Sequence, residues 1–86
     1  KLVDGGIEAQ THQVMKNLLD VLNAAGSSLE KVIFARVYLV NFGDFDKMNS
    51  VYASYFARDK LPARTCIGVT GLAVGASVEI DFIAAC

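Results

Sequence analysis

Tryptophan is absent from this 86-residue chain, proline and histidine each occur once, and only two cysteines are present. Each scarcity excludes a class of protein. Cys66 and Cys86 cannot build a disulfide framework, and a reducing, intracellular setting fits them best. With His12 as the lone histidine and no CxxC spacing, a structural zinc site lacks its ligands, and no metal is expected. No apolar run approaches the ~18 residues of a membrane-spanning helix, so no membrane partner is expected. Basic residues are few and dispersed: eight Lys and Arg against nine Asp and Glu give a net charge of −1. Without a basic stripe to neutralise phosphates, nucleic-acid binding is disfavoured. No signal or transit peptide is visible, although a start at Lys1 rather than Met leaves a removed leader open.

What is abundant is apolar. Hydrophobic residues make up 53% of the chain and charged ones only 20%. A chain this short builds one domain with one modest core, and a small domain has much surface for its volume. Some apolar area is therefore left that one subunit can hardly bury. An oligomer is predicted, with an apolar sheet face as the contact.

Residues 1–6 read as a loop or strand end. From Ile7 to Ala25 the spacing is helical, with Val14, Leu18, Leu22 and Ala25 on one face beside Met15, Leu19 and Val21. Gly26 is the expected stop, since it takes a positive φ without steric cost. Ser27-Ser28-Leu29-Glu30 resembles a capping box for one short turn. Residues 31–40 form a strand that is apolar on both faces, with Ile33, Ala35, Val37 and Leu39 on one side. After a turn over Asn41–Asp44, with Asp44 as candidate N-cap, a second amphipathic helix carries Phe45, Met48, Tyr52, Tyr55 and Phe56. The stretch Asp59–Pro62 is expected to end it. Strands over Thr65–Leu72 and Ser77–Ala85, around a turn at Ala73–Ala76, then read as a hairpin. The order is α-β-α-β-β and the fold class α+β, with two helices packed on one face of a sheet.

Pairing Leu72 with Ser77 in that hairpin puts Ile67, Val69, Val78, Ile80 and Phe82 under the helices. It puts Arg64, Cys66, Glu79 and Asp81 together on the opposite face. Glu79 then lies opposite Thr70, roughly 20 Å from Arg64 at ~3.3 Å per residue. If both act on one ligand, they come from neighbouring subunits.

These are the residues with chemistry to offer. Arginine suits a planar carboxylate because its fork donates two parallel charge-assisted hydrogen bonds. A glutamate on an otherwise apolar strand suits proton transfer near neutral pH. Plainer readings stand beside these. Arg64 could be an interface salt-bridge partner, Glu79 a polar residue on an edge strand, and Asn49 a helix-to-loop hydrogen-bonding group. Cys66 reads as a small buried side chain rather than a nucleophile, because no histidine lies near it in sequence. Cys86 reads as structural or incidental, His12 as solvated, and the tyrosines and phenylalanines as core or interface.

The chain resembles the Rid family, the YjgF-type reactive intermediate deaminases also called endoribonuclease L-PSP domains. The resemblance runs from Gly5-Gly6-Ile7 with Gln10-Thr11 and Gln13, through Asn17-Leu18 and Ala24-Ala25-Gly26. It continues through the Val37–Leu39 strand to Phe45, Asn49 and Tyr52. Its most diagnostic part is Pro62-Ala63-Arg64-x-Cys66, with Glu79 fifteen positions after the arginine. The resemblance implies a chorismate-mutase-like α+β domain that assembles as a homotrimer, with clefts between subunits. It implies hydrolysis of reactive enamines and imines such as 2-aminoacrylate and 2-iminobutyrate to 2-keto acids and ammonia, with no cofactor, in the cytoplasm or the mitochondrion. By position, Arg64 would clamp the substrate carboxylate, Cys66 would line the site largely through its backbone, and Glu79 would position or activate the attacking water. Asn49 matches a position near the cleft. Family domains begin with a further β-hairpin that nothing here matches, so residues 1–86 are expected to be an N-terminally shortened Rid domain. Leu72-Ala73 replaces a usual Leu-Pro, and Phe34 and Asn41 stand where many members carry Lys and Asp. Two other functions remain open: a non-enzymatic module that binds small carboxylates, and a ribonuclease or translation inhibitor.

Overall fold

A computed structural model describes residues 5–85; the expectations for Cys86 and for most of the 1–6 loop lie outside them. Helix α1 spans Gly6–Ala24. Ile7, Thr11 and Met15, four residues apart, are buried along it, with Leu22 further on. The one buried polar side chain among these, Thr11, satisfies itself by donating to the Ile7 carbonyl at 2.7 Å. Gly26, at φ 76°, ends the helix in a Schellman motif: its N–H donates to the Asn23 carbonyl and that of Ser27 to the Leu22 carbonyl. Val21 and Ala25, expected on the buried face, are exposed, because the core sits under the Ile7–Met15–Leu22 line instead.

Strand β1 (Val32–Leu39), helix α2 (Phe45–Ser54), strand β2 (Ala63–Gly68) and strand β3 (Val78–Ala84) follow. Asp44 occupies the N-cap of α2, but its side chain caps nothing; Asn41 Oδ1 accepts from the Gly43 N–H instead, at 3.0 Å. Helix α2 ends at Ser54, earlier than the Asp59–Pro62 stretch suggested, and Tyr55 and Phe56 continue as a tight turn. Ala35, Val37 and Leu39 of β1, Val78 and Ile80 of β3, Met15 of α1, and Met48 and Tyr52 of α2 form the core. Both helices thus pack on one face of the sheet, as the patterning predicted.

The hairpin is not formed. Strand β1 is central, with β2 parallel on one side and β3 antiparallel on the other. A strand apolar on both faces gains most from the middle of a sheet, and β1 is the strand with that pattern. The nine residues between β2 and β3 are too many for a tight hairpin turn. They bridge the end of β1 instead, with Val69 N–H donating to the Leu39 carbonyl and Val40 N–H to the Ser77 carbonyl.

Register now decides the faces. Arg64 aligns with Ala35 and Cys66 with Val37, which puts both on the helix side. Glu79 aligns with Tyr38 and Asp81 with Arg36 on the open side. The expected inward and outward positions of β3 therefore hold, while those of β2 are inverted and Ile67 is exposed. Strand β1 carries one irregularity at its start, where Val32 turns into the core and Ile33 turns out.

Candidate functional site

Strand β2 follows directly on Pro62, whose fixed φ and effect on Leu61 favour extended chain. The strand lifts Arg64 beneath α2. There the guanidinium carbon lies 4.9 Å from the centre of the Tyr52 ring and 5.5 Å from that of Phe45. Its Nη1 donates to Asn49 Oδ1 at 2.5 Å. Phe45, Asn49 and Tyr52 stand at i, i+4 and i+7 on α2, so one helix face supplies all three partners. No carboxylate pairs with Arg64 among the described residues; the ion pair there joins Arg36 to Asp81. A cleft of about 320 Å³ opens beside the guanidinium, lined by Asn49, Tyr52, Ala53, Leu61, Pro62 and Arg64.

Two neighbours register this environment. The Tyr52 side chain is buried, its hydroxyl has no hydrogen-bond partner among the described residues, and burial pushes its pKa up while Arg64 pulls the other way. Burial likewise pushes the Cys66 thiol up, against a weaker pull from Arg64. The thiol therefore stays protonated near neutral pH, whereas a nucleophilic cysteine needs its thiolate.

Glu79 lies elsewhere. It is exposed on the open face of β3, across β1 from Arg64 and on the other side of the sheet. Arg64, Cys66 and Asn49 are thus brought together by one chain, and Glu79 is not. The expectation that arginine, thiol and carboxylate share the uncovered face is overturned: it rested on a strand pairing that does not exist, and a wrong partner reverses every side chain of a strand. Phe45 and Tyr52 were read from the sequence as core or interface aromatics, yet both touch Arg64. Their spacing with Asn49 is the signal that could have found them. His12 is exposed as expected and meets the Tyr55 hydroxyl through Nδ1 at 2.9 Å. Among the described residues no cluster of His, Cys, Asp and Glu could hold a metal ion, and no helix is long and apolar enough to cross a membrane.

Chemically, the Arg64 site is a cation at the edge of a partly apolar cleft, and among the described residues Asn49 alone accepts a hydrogen bond from its guanidinium. Such a site suits a small carboxylate.

The sequence profile of the family described as Endoribonuclease L-PSP matches residues 1–86. The protein HMF1 of Saccharomyces cerevisiae is 42% identical over 85 residues, which cover 99% of this chain and 65% of HMF1. The RutC family protein PH0854 of Pyrococcus horikoshii is 46% identical over 84 residues, 98% of this chain and 66% of the relative. This chain thus spans slightly less than two thirds of the length of these relatives. The crystal structure of YyfA from Yersinia pestis, a protein of the conserved Rid family, superposes with a TM-score of 0.93 at 39% identity, over 98% of this chain and 67% of that one. Relatives come from yeast, archaea and bacteria, and one yeast relative, MMF1, is named as mitochondrial. With a profile match from end to end, relatives above 40% identity and a shared fold, the chain belongs to the Rid/L-PSP family.

Proposed function

We propose that this domain works as a hydrolytic deaminase of reactive enamine and imine intermediates, converting compounds such as 2-aminoacrylate and 2-iminobutyrate to 2-keto acids and ammonia. The observation that carries the reading is Arg64: a half-buried guanidinium held by neutral partners, with no carboxylate paired to it among the described residues, beside a cleft of about 320 Å³. In this reading Arg64 clamps the substrate carboxylate in a bidentate fork, and the backbone at Cys66 lines the site. Asn49 supports the clamp. Glu79 delivers water to the electrophilic carbon and moves a proton to the departing nitrogen. Arg64 and Glu79 occupy opposite faces of one sheet, so they serve one ligand only when supplied by different protomers; a homotrimer with clefts between subunits meets that need. The cellular setting we propose is the cytoplasm or the mitochondrion.

A second reading has one observation in its favour. Within a single chain Glu79 is remote from the Arg64 cleft, so a lone protomer has the means to bind a carboxylate without hydrolysing anything. The two readings separate in an assay that generates 2-aminoacrylate in situ and follows keto-acid release. Acceleration by the wild type, lost in both Arg64→Ala and Glu79→Ala, supports the deaminase. Absence of acceleration by the folded wild type rejects it.

A further inference from the structure

Buried or half-buried arginines usually keep company with a carboxylate, because taking a charge out of water is costly unless it is paired. Among the described residues, the groups that hold Arg64 are neutral. Asn49 accepts one hydrogen bond at 2.5 Å, and the rings of Tyr52 and Phe45 lie 4.9 and 5.5 Å from the guanidinium carbon. All three come from one face of α2, at i, i+4 and i+7. Phe45 is itself braced by stacking on Phe42, with ring centres 5.5 Å apart and planes 18° apart. Aromatic faces attract a cation through their quadrupole and leave its charge intact. An amide oxygen likewise fixes the fork without cancelling it. A carboxylate at position 49 would hold the arginine more tightly but would neutralise it.

We infer that Phe45, Asn49 and Tyr52 form a charge-neutral cage that positions Arg64 and preserves its positive charge for an anionic ligand. These three are positioning residues: they act through the guanidinium. The inference rests on the reading of Arg64 as a carboxylate clamp and adds a reason why position 49 carries an amide. Asparagine and aspartate have nearly the same shape, so Asn49→Asp keeps the oxygen that accepts from Arg64 while adding a negative charge and exchanging the amide NH2 for a second acceptor.

The test is binding of 2-oxobutanoate by isothermal titration at low ionic strength, alongside thermal unfolding, for the wild type, Asn49→Asp and Phe45→Leu. Loss of one charge-assisted interaction corresponds to a change in affinity of about ten- to a hundredfold. Asn49→Asp is therefore expected to bind that much more weakly while unfolding at the same or a higher temperature. A merely structural asparagine would give the higher temperature without the loss of binding. Phe45→Leu, which removes one ring of the cage and keeps an apolar side chain, is expected to weaken binding about three- to tenfold. Tyr52→Leu should do the same, with Tyr52→Phe recovering most of the loss because it retains the ring. Binding by Asn49→Asp equal to that of the wild type would overturn the cage while leaving the clamp standing. A wild type that does not bind 2-oxobutanoate would overturn the clamp, and the cage with it.

Discussion

Arg36 on β1 and Arg64 on β2 belong to neighbouring strands but opposite faces of the sheet. Arg36 lies on the open face, half exposed, and donates from Nε to Asp81 Oδ1 on β3 at 2.8 Å. That hydrogen bond, and then the charge of Asp81, holds the Arg36 pKa above its ordinary value. Arg64 lies on the helix face, held by an amide and two aromatic rings with no carboxylate paired to it among the described residues. One arginine has its charge answered by a carboxylate, and among the described residues the other does not. Residue type alone does not distinguish them; the chemistry of their neighbours does.

Substitution of the two arginines is the bluntest way to test this contrast. Arg64→Ala removes the proposed clamp and should lower keto-acid release roughly a thousandfold, with loss of 2-oxobutanoate binding. Arg36→Ala breaks an exposed pair and should leave both nearly untouched, with only a small shift in unfolding temperature. Equal losses from the two would erase the distinction. Glu79→Gln sharpens it by separating binding from chemistry: turnover should fall roughly a hundredfold while 2-oxobutanoate affinity stays near that of the wild type. A parallel loss of affinity would show that Glu79 acts on the ligand's charge rather than on a proton.

Smaller effects concern the cage. The Tyr52 hydroxyl is buried without a partner among the described residues, so Tyr52→Phe should stabilise the fold by about 1 kcal/mol, or roughly 4–8 °C for a domain of this size. An unfolding temperature below that of the wild type would mean that the hydroxyl is satisfied in solution. The smallest effect is at Cys66. Burial disfavours its thiolate and raises its pKa, while the Arg64 charge favours the thiolate and lowers it, with burial dominant. Alkylation of Cys66 in a Cys86→Ser background should therefore accelerate only above the ordinary thiol range. Arg64→Ala, by removing the opposing pull, should move that onset to still higher pH. Movement toward lower pH would place the Arg64 charge away from the thiol.

Much of this could be read from the sequence because it depends on local pattern. The helix that stops at Gly26, the doubly apolar β1, and the alternation of Val78, Ile80 and Phe82 with Glu79 and Asp81 each follow from spacing within one segment. The quoted motif residues likewise pointed to the family that the comparisons establish. Strand β2 could not be read this way. Its side chains alternate whichever neighbour it pairs with, and only the choice of β1 rather than β3 sets which set faces the helices. Sequence neighbours often pair, but here the link arches over the end of β1. The extra residue that turns Val32 inward and Ile33 outward breaks the two-residue period, and nothing in a run of β-branched residues marks where it falls. The cage was hidden for a different reason. Phe45 and Tyr52 satisfy a core pattern, and their contact with Arg64 depends on β2 passing under α2.

We propose that Arg64, and not Arg36, offers its charge to a carboxylate ligand. The most direct measurement follows the side-chain Nε–Hε resonances of the arginines by nuclear magnetic resonance during titration with 2-oxobutanoate. Saturable displacement of the Arg64 resonance, with that of Arg36 unmoved, is the predicted result. An unmoved Arg64 resonance at saturation, or a response centred on Arg36, would show that Arg64 is not the carboxylate clamp.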